Sequence, residues 1–353
     1  MDTPANALPS TMRSWIVGKN GPPADALQLV PDVPVPTPQG ANALIKVAYV
    51  SLNPADLQFM KKIPTLLPFR RRPVPGLDFC GEIVALGPSA TATAATHKFE
   101  VGSVVCGAIP AGSVAVGVGT LAEYITVPVE ILSLKPDDLS DAASSGLGIA
   151  GQTAALVMSE ANVQPGQRVL INGASGGVGT FLCQIVTARG GVVTAVCSGS
   201  NAGLVRKLGA VEQVVDYILN SPVYYHLETE YSDNPFDVII DCVGNQFLYD
   251  MCEPYLKPTG IFLNIVGGAT EGVVPWVKGT LWPKFLGGTP RRYKILALMP
   301  SGNLQREVVQ WVNDGLVQDV PIDSQFAMED AIKAYEKLET KRAKGKIIVK
   351  VAS

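Results

Sequence analysis

The stretch VLINGASGGVGTFLCQ, Val169–Gln184, decides the fold. Val169–Asn172 is a short aliphatic run of the kind that forms a strand buried on both faces. It leads at once into Gly173-Ala174-Ser175-Gly176-Gly177-Val178-Gly179, after which Thr180–Arg189 reads as a helix. Glycines let the chain turn tightly and let backbone N–H groups approach a pyrophosphate, and the helix N-terminus adds positive potential there. The order G-A-S-G-G-V-G departs from plain G-x-G-x-x-G, and a glycine-rich turn alone also occurs with no ligand. Context decides: a strand precedes the turn, a helix follows, and Val192–Cys197 supplies a second strand.

Working outward, strands and helices alternate. Ala202–Leu208 reads as a short helix, and Val214–Tyr217, Phe236–Cys242 and Gly260–Val266 as the third to fifth strands, with Arg292–Leu298 as a sixth. This spacing implies βαβ units and a parallel sheet. Residues 1–145 are instead β-rich. Met12–Val17, Leu44–Val50, Gly81–Leu86, Ser103–Ala108 and Tyr124–Val127 are short β-branched runs bounded by Gly and Pro. Ala142–Ser159 is Ala-rich and predicts helices. Near the C-terminus, Leu304–Asp314 and Met328–Leu338 read as helices, the latter with Asp323 or Ser324 near its start, and Ile347–Val351 as a closing strand.

With 353 residues the chain has room for roughly two domains. An apolar fraction of 47% against 17% charged residues excludes a disordered chain. A net charge of -3 provides no basic field for nucleic acid. The six cysteines form no close pair, so neither a disulfide framework nor a zinc knuckle is indicated, and two histidines starve most His-based schemes. The segment MDTPANALPSTMRSW lacks a secretion-signal core, and its first eleven residues read as a flexible leader. The longest apolar runs fall short of the ~20 residues a bilayer span needs. The expectation is a soluble, cytoplasmic protein with no membrane or nucleic-acid partner.

The end of the second strand bears on which dinucleotide binds. An NAD site usually places Asp or Glu there, about 20 residues past the first glycines. Here the segment is Cys197-Ser198-Gly199-Ser200-Asn201, with Arg206 and Lys207 beyond it. Hydroxyls, an amide and local positive charge suit a 2′-phosphate, so NADPH is the expected cofactor. The plainer alternative makes Ser198–Asn201 a polar helix cap and Arg206 and Lys207 a solvated face.

Further segments carry a family likeness: Val50-Ser51-Leu52-Asn53-Pro54-Ala55-Asp56, Pro75–Glu82, Gly119–Tyr124, Gly151-Gln152-Thr153-Ala154, the glycine loop and Arg342–Val349. Together and in this order they resemble the zinc-free, quinone-oxidoreductase-like branch of the medium-chain dehydrogenase/reductase superfamily, and more loosely fungal enoyl reductases of that type. The resemblance covers nearly the whole chain. It implies an α/β fold with a GroES-like β-rich catalytic domain, residues 1–145 and 301–353, and a Rossmann doubly wound parallel-sheet domain, residues 146–300. It also implies a homodimer. Zinc-dependent relatives carry Cys at Asn53 and Gly-His-Glu at Gly76-Leu77-Asp78. Leu77 cannot ligate a metal, and a catalytic zinc needs three N, S or O ligands, so no metal is expected.

The resemblance further implies the site. Asn53 lies beside the nicotinamide and the reacting carbonyl, where its amide is the expected orienting donor; alternatively it caps a turn before Pro54. Asp56 reads as a helix cap rather than a base. Related enoyl reductases often carry an acidic Tyr soon after this segment, but Gln58 and Lys61–Pro64 stand here. Tyr124 and Tyr293 are substitutes that serve equally as packing residues. Cofactor contacts implied or read from the loop are Thr153, Ser175, Gly176, Gly177, Val178, Ser198, Ser200, Asn201, Tyr217, Cys242, Val243, Ile265, Val266, Gly267 and Lys346. Cys242 has no expected redox role, because a Cys ending an apolar strand is usually a small buried hydrophobe.

Without a Lewis acid, hydride addition to a conjugated C=C of an enone, enoyl thioester or quinone is the expected reaction, ahead of carbonyl reduction. The substrate is a free small molecule or an enoyl thioester on a carrier. The clusters Arg70-Arg71-Arg72 and Arg291-Arg292 read either as solvated loops or as a mouth for an anionic carrier, with Trp276, Trp282 and Phe285 as an apolar wall. A protein that binds NADPH without catalysis is the competing class, since a fold does not fix a function.

Overall fold

Val169, Leu170 and Ile171 point alternately to the two faces of their strand, yet all three are wholly inaccessible. A strand covered on both sides belongs inside a parallel sheet. The computed structural model, which describes residues 8–65, 72–209, 212–266 and 291–352, places it there. The chain forms two units. The first comprises Met1–Ile149, Met299–Val309 and Ile322–Ser353; the second comprises Ala150–Leu298 and Gln310–Pro321.

The second unit holds six parallel strands in the order Gln213–Asp216, Val192–Cys197, Arg168–Asn172, Phe236–Asp241, Leu256–Asn264, Arg292–Ile295. Numbered along the chain, that order is 3-2-1-4-5-6, the doubly wound pattern. The order reverses between Arg168–Asn172 and Phe236–Asp241, so the crevice at their carboxyl ends is where such folds take ligands. Gln310–Pro321 also belongs here. Gln184 accepts the backbone N–H groups of Gln318 and Asp319 at 2.8 and 3.0 Å and donates to the Asp319 carbonyl at 2.9 Å.

The first unit is built on a sheet in the order Ile322–Ala327, Lys346–Lys350, Asn42–Leu52, Asp78–Leu86, Val104–Ala108, Ser133–Leu134, with Tyr124–Pro128 also pairing to Asn42–Leu52. Its core gathers Ile45, Val47, Val50, Phe79 and Ile83 from the sheet with Met328, Ala331 and Tyr335 near the C-terminus. The strand Thr11–Val17 pairs antiparallel with Leu27–Pro34. That second strand is not legible beforehand, because two prolines demote a run to an edge or to no strand; as an edge it tolerates them.

One expectation is corrected. Asp323 and Ser324 do not start a helix: they lie in the strand Ile322–Ala327, and the helix Ala331–Glu339 begins later. Asp323 is instead committed to the C-terminal turn, accepting the Lys344 N–H at 3.0 Å and pairing with Lys337. Ala142–Ser159 is helical as expected, in two helices, Asp141–Ser145 and Gln152–Ala161. A wide π-type turn, Leu147–Gly151, separates them, with Gly148 at ψ -108°. The cause is Asp78. Its carboxylate takes the Ile149 N–H at 2.7 Å, and a Cβ on Gly148 would lie 2.3 Å from its Oδ1. A side chain inserted into a helical ladder breaks it. No helix among the described residues is long and apolar enough to cross a membrane.

The glycine loop yields a stability test. A Cβ on Gly179 would meet Gly173 O at 2.3 Å and Ala174 Cα at 2.6 Å, both backbone, whereas one on Gly203 would meet nothing within 4 Å. Gly179→Ala should cost at least ~1–3 kcal/mol by overpacking. Gly203→Ala should stabilise its helix by up to ~1 kcal/mol. Urea unfolding of the two variants checks the opposite signs.

Candidate functional site

Each loop glycine has its own reason. Gly173 adopts φ +80°, and a Cβ there would press on Val243 at 2.9 Å. Gly179 lets the helix Gly177–Ala188 lie against the turn before it. Gly176 differs: its φ is -83°, and a Cβ would meet only Gly173 O, at 3.4 Å. The protein's own packing does not require glycine at 176. The backbone at 176 is thereby left open beside a helix N-terminus, which favours an anion.

A polar chain joins this loop to the end of the neighbouring strand. Asn201 Nδ2 donates to Ser175 Oγ at 2.9 Å, Ser200 Oγ donates to Asn201 Oδ1 at 3.3 Å, and Ser198 and Ser200 share a hydrogen bond at 3.1 Å. Ser175, Ser198, Ser200 and Asn201 are thereby brought together. Tyr217 follows the strand Gln213–Asp216 and is half exposed at 47%, with its N–H on the Cys197 carbonyl. Lys207 is exposed and pairs with Asp319 at 3.4 Å.

At the switch point a residue the sequence reading passed over organises the crevice. Asp241 is fully buried. Its Oδ1 accepts Asn172 Nδ2 at 2.8 Å, the Val243 N–H at 2.9 Å and the Gly244 N–H at 3.1 Å; its Oδ2 accepts the Asn245 N–H at 2.6 Å. One carboxylate thus ties the two strands flanking the reversal and shapes the turn carrying Cys242 and Val243. Its register partner Asn264 repeats the device, accepting the Val266 N–H at 2.9 Å and donating to the Tyr293 hydroxyl at 3.0 Å. The available signal was three apolar strands that each end in a polar residue: Asn172, Asp241 and Asn264.

Ile265 donates its N–H to the Asp241 carbonyl, and Val266 packs against Gly244, so these residues gather with Val243. Gly267 lies outside the described residues. Cys242 is a neutral thiol, because burial pushes its pKa well up. Thr153 is buried in the first turn of the helix Gln152–Ala161. Tyr293 stacks on Tyr249 at 4.2 Å and on Phe262 at 5.7 Å, the packing role.

In the first unit, Asn53 caps the helix Pro54–Lys62, and Asp56 Oδ2 accepts the Asn53 N–H at 2.8 Å. The Asn53 side chain is enclosed. Nδ2 donates to Asp78 Oδ2 at 2.8 Å and to the Ser51 carbonyl at 3.3 Å, while Oδ1 accepts from Lys346 Nζ at 2.7 Å. Lys346, expected among the cofactor contacts, is enclosed within this unit. It is 3% exposed, and its three ammonium hydrogens have acceptors inside this unit: Asn53 Oδ1, the Leu52 carbonyl and Asp78 Oδ2. Burial raises the Asp78 carboxyl, opposed by Lys346, Asn53 and the Ile149 N–H. Burial also pushes Asp56 up to about 8, and its Oδ1 lacks a partner.

Of the arginine clusters, Arg70 and Arg71 lie outside the described residues, as do Trp276, Trp282 and Phe285. Arg291 is no free cation: Nε donates to the Leu256 carbonyl and Nη2 to the Glu253 carbonyl, both at 2.6 Å. Arg292 is exposed.

Residues 39–137 match the family described as alcohol dehydrogenase GroES-like domain, and 208–349 the one described as zinc-binding dehydrogenase. Medium chain reductase pydE of Acremonium sp is 33% identical, over 98% of this chain and 100% of that protein. Trans-enoyl reductase poxH of Penicillium oxalicum is 34% identical, over 97% of this chain and 98% of that protein. Among solved structures, the quinone oxidoreductase from Coxiella burnetii has a TM-score of 0.80 at 26% identity, covering 97% of this chain and 99% of that one.

Asp56 makes stability depend on pH. The folded chain holds a proton that the unfolded chain, with its carboxyl near 3.8, has released. Stability therefore falls as pH rises from about 4 to about 8, by at most ~1.4 kcal/mol per pH unit from this one group. Asp56→Asn should flatten that slope in urea midpoints taken across the window; an unchanged slope would count against the assignment. Asp241→Ala removes four hydrogen bonds to a buried carboxylate, and dinucleotide affinity should drop at least tenfold by titration.

Proposed function

Because the chain belongs to the medium-chain dehydrogenase/reductase superfamily, in its quinone-oxidoreductase and enoyl-reductase branch, we propose that it is an NADPH-dependent, zinc-independent reductase of conjugated C=C bonds, working in the cytoplasm. The observation that carries the cofactor half is Gly176: a glycine with space on its protein side, at a helix N-terminus beside the switch point. Gly176, Gly177 and Val178 would hold the pyrophosphate. Ser198, Ser200, Asn201 and Tyr217 would hold the adenosine phosphate, and Val243, Ile265 and Val266 would line the nicotinamide side. Bound there, the cofactor would supply the hydride for an activated C=C.

Zinc does not fit the residues present. A catalytic zinc needs three N, S or O ligands, and among the described residues no group of three His, Cys, Asp or Glu is placed to hold a metal. Asp78 already faces an ammonium and an amide, and its neighbour Leu77 has no donor atom.

The chain's own residues then supply the rest. As hydride reaches the β-carbon, negative charge builds on the conjugated carbonyl oxygen, and a hydrogen-bond donor there lowers the barrier. Asn53 Nδ2 is that donor in this reading. Its long 3.3 Å bond to the Ser51 carbonyl is the one a substrate oxygen would replace, while the 2.8 Å bond to Asp78 keeps the amide aimed. The α-carbon takes its proton from water or a side chain. The resemblance to trans-enoyl reductases favours an enoyl group, either on a thioester carrier or in a free enone or quinone. Arg291 does not contribute to a carrier mouth, because its guanidinium is spent on backbone carbonyls.

One observation favours NADH as the second reading. Asp216 is in register with Cys197, and its Oδ2 would lie 2.3 Å from a Cβ on Gly199, within the segment read as the phosphate pocket. A carboxylate there repels a 2′-phosphate.

NADPH consumption against a medium-chain enoyl thioester, the matching free enone, a quinone and a saturated ketone tests the proposal. Turnover on at least one conjugated acceptor and little on the ketone is expected; no consumption with NADPH bound would return the chain to the class of binding proteins. Tighter binding of NADH than of NADPH would overturn the cofactor half, and Asp216→Asn should shift the ratio toward NADPH. Asn53→Ala should lower kcat at least tenfold, on the scale of a lost oxyanion donor, ~2.7–4 kcal/mol. A smaller loss removes Asn53 from the chemistry.

A further inference from the structure

Lys346 and Asp78 are 3% and 0% exposed, and they are 268 residues apart in sequence. Their charged atoms form an ion pair at 3.4 Å, longer than the ~2.7–2.9 Å of a charge-assisted hydrogen bond. The shorter bonds run through a third residue: Lys346 Nζ to Asn53 Oδ1 at 2.7 Å, and Asn53 Nδ2 to Asp78 Oδ2 at 2.8 Å. The amide is therefore clamped at both ends by opposite charges. A flipped amide would put its NH₂ against the ammonium and its oxygen against the carboxylate, so only one orientation is allowed. The other carboxylate oxygen, Oδ1, holds the Ile149 N–H at 2.7 Å and forces glycine at 148. Four chain segments thus converge on one buried ion pair. Burying two charges is a poor device for stability, since well-packed apolar residues do as well or better. What an ion pair supplies and apolar residues do not is a fixed direction for a polar group between them.

We propose that Lys346 and Asp78 are positioning residues for the reduction, acting through the Asn53 amide to aim its N–H at the substrate's carbonyl oxygen. This rests on the reductase reading above. Lys346 then contributes through its ammonium at the Asn53 oxygen, in the first unit.

The test is a double-mutant cycle in kcat with the full chain and the best acceptor of the panel. Lys346→Met leaves Asp78 with an unpaired charge, so the charge-neutral double variant Asp78→Asn/Lys346→Met is made alongside it. Both should lower kcat at least tenfold while the KM for NADPH stays within about threefold. In an Asn53→Ala background, Lys346→Met should lower kcat by less than about threefold, because the group it aims is gone. A folded double variant with wild-type kcat, or a full loss from Lys346→Met on top of Asn53→Ala, overturns the proposal. A purely structural pair would lower the melting temperature and leave kcat of the folded enzyme intact.

Hydrogen exchange separates this proposal from the one it rests on. If the wild type reduces no acceptor, the reductase reading fails by itself, and exchange at the Ile149 amide and through the helix Pro54–Lys62 decides the clamp. Exchange at least tenfold faster in the folded double variant supports it; unchanged exchange overturns it.

Discussion

A carboxylate taken out of water must find donors within the protein, and that constraint shapes both units. Asp78 and Asp241 are each wholly inaccessible. Asp241 takes three backbone N–H groups and an amide; Asp78 takes a backbone N–H, an amide and an ammonium. Leaving a buried charge without such partners costs ~3–5 kcal/mol, a large part of a domain's stability. The donors are therefore not free to wander, and the segments that carry them inherit fixed positions. In the second unit those segments are the strand ends and turn of the crevice. In the first they are Asn53 at a helix cap, Lys346 at the start of a strand, and the wide turn at Ile149.

The two carboxylates solve the problem with different partners, and the difference bears on chemistry. Asp241 is surrounded by neutral donors, so it behaves as a rigid anchor for the turn that follows its strand. Asp78 shares its surroundings with a cation and with an amide whose two ends are both engaged. That arrangement orients a polar group, which is what a site requires when charge must be met at a defined oxygen. Nearby, Asp56 lacks a cation at hydrogen-bond distance and is held in its protonated form near neutral pH by burial. The three buried carboxyl groups thus differ in their partners: neutral donors for Asp241, a cation and an amide for Asp78, a single backbone N–H for Asp56.

The parallel sheet was legible in the sequence because it depends on local signals. Apolar runs of four to six residues, a glycine turn and a following helix each occupy adjacent positions, and the periodicity of side chains reports them directly. The Ser175, Ser198, Ser200 and Asn201 group was found the same way, from the ends of two strands. What failed were local signals overridden at a distance. The Ala-rich stretch after 141 is helical as it reads, but the break within it was not legible: the Asp78 carboxylate, some seventy positions earlier, enters its backbone at Ile149 and opens a turn. Prolines hid the edge strand Leu27–Pro34, and Asp323, which resembles a helix cap, is taken by the turn at Lys344.

The sequence by itself determined the α/β class, the glycine loop between strand and helix, and the presence of Asn53 before a helix. Those follow from the chain's own short-range sterics: which residues allow a tight turn, which alternate, which cap. Only the tertiary structure decided what the polar side chains are doing. It turned Lys346 inward to Asn53, spent Arg291 on carbonyls, brought Asp216 beside Gly199, and lined up Asn172, Asp241 and Asn264 across three strands. A buried donor or acceptor must be matched by whatever the fold brings within about 3 Å of it, and for these residues the partner lies tens to hundreds of positions away.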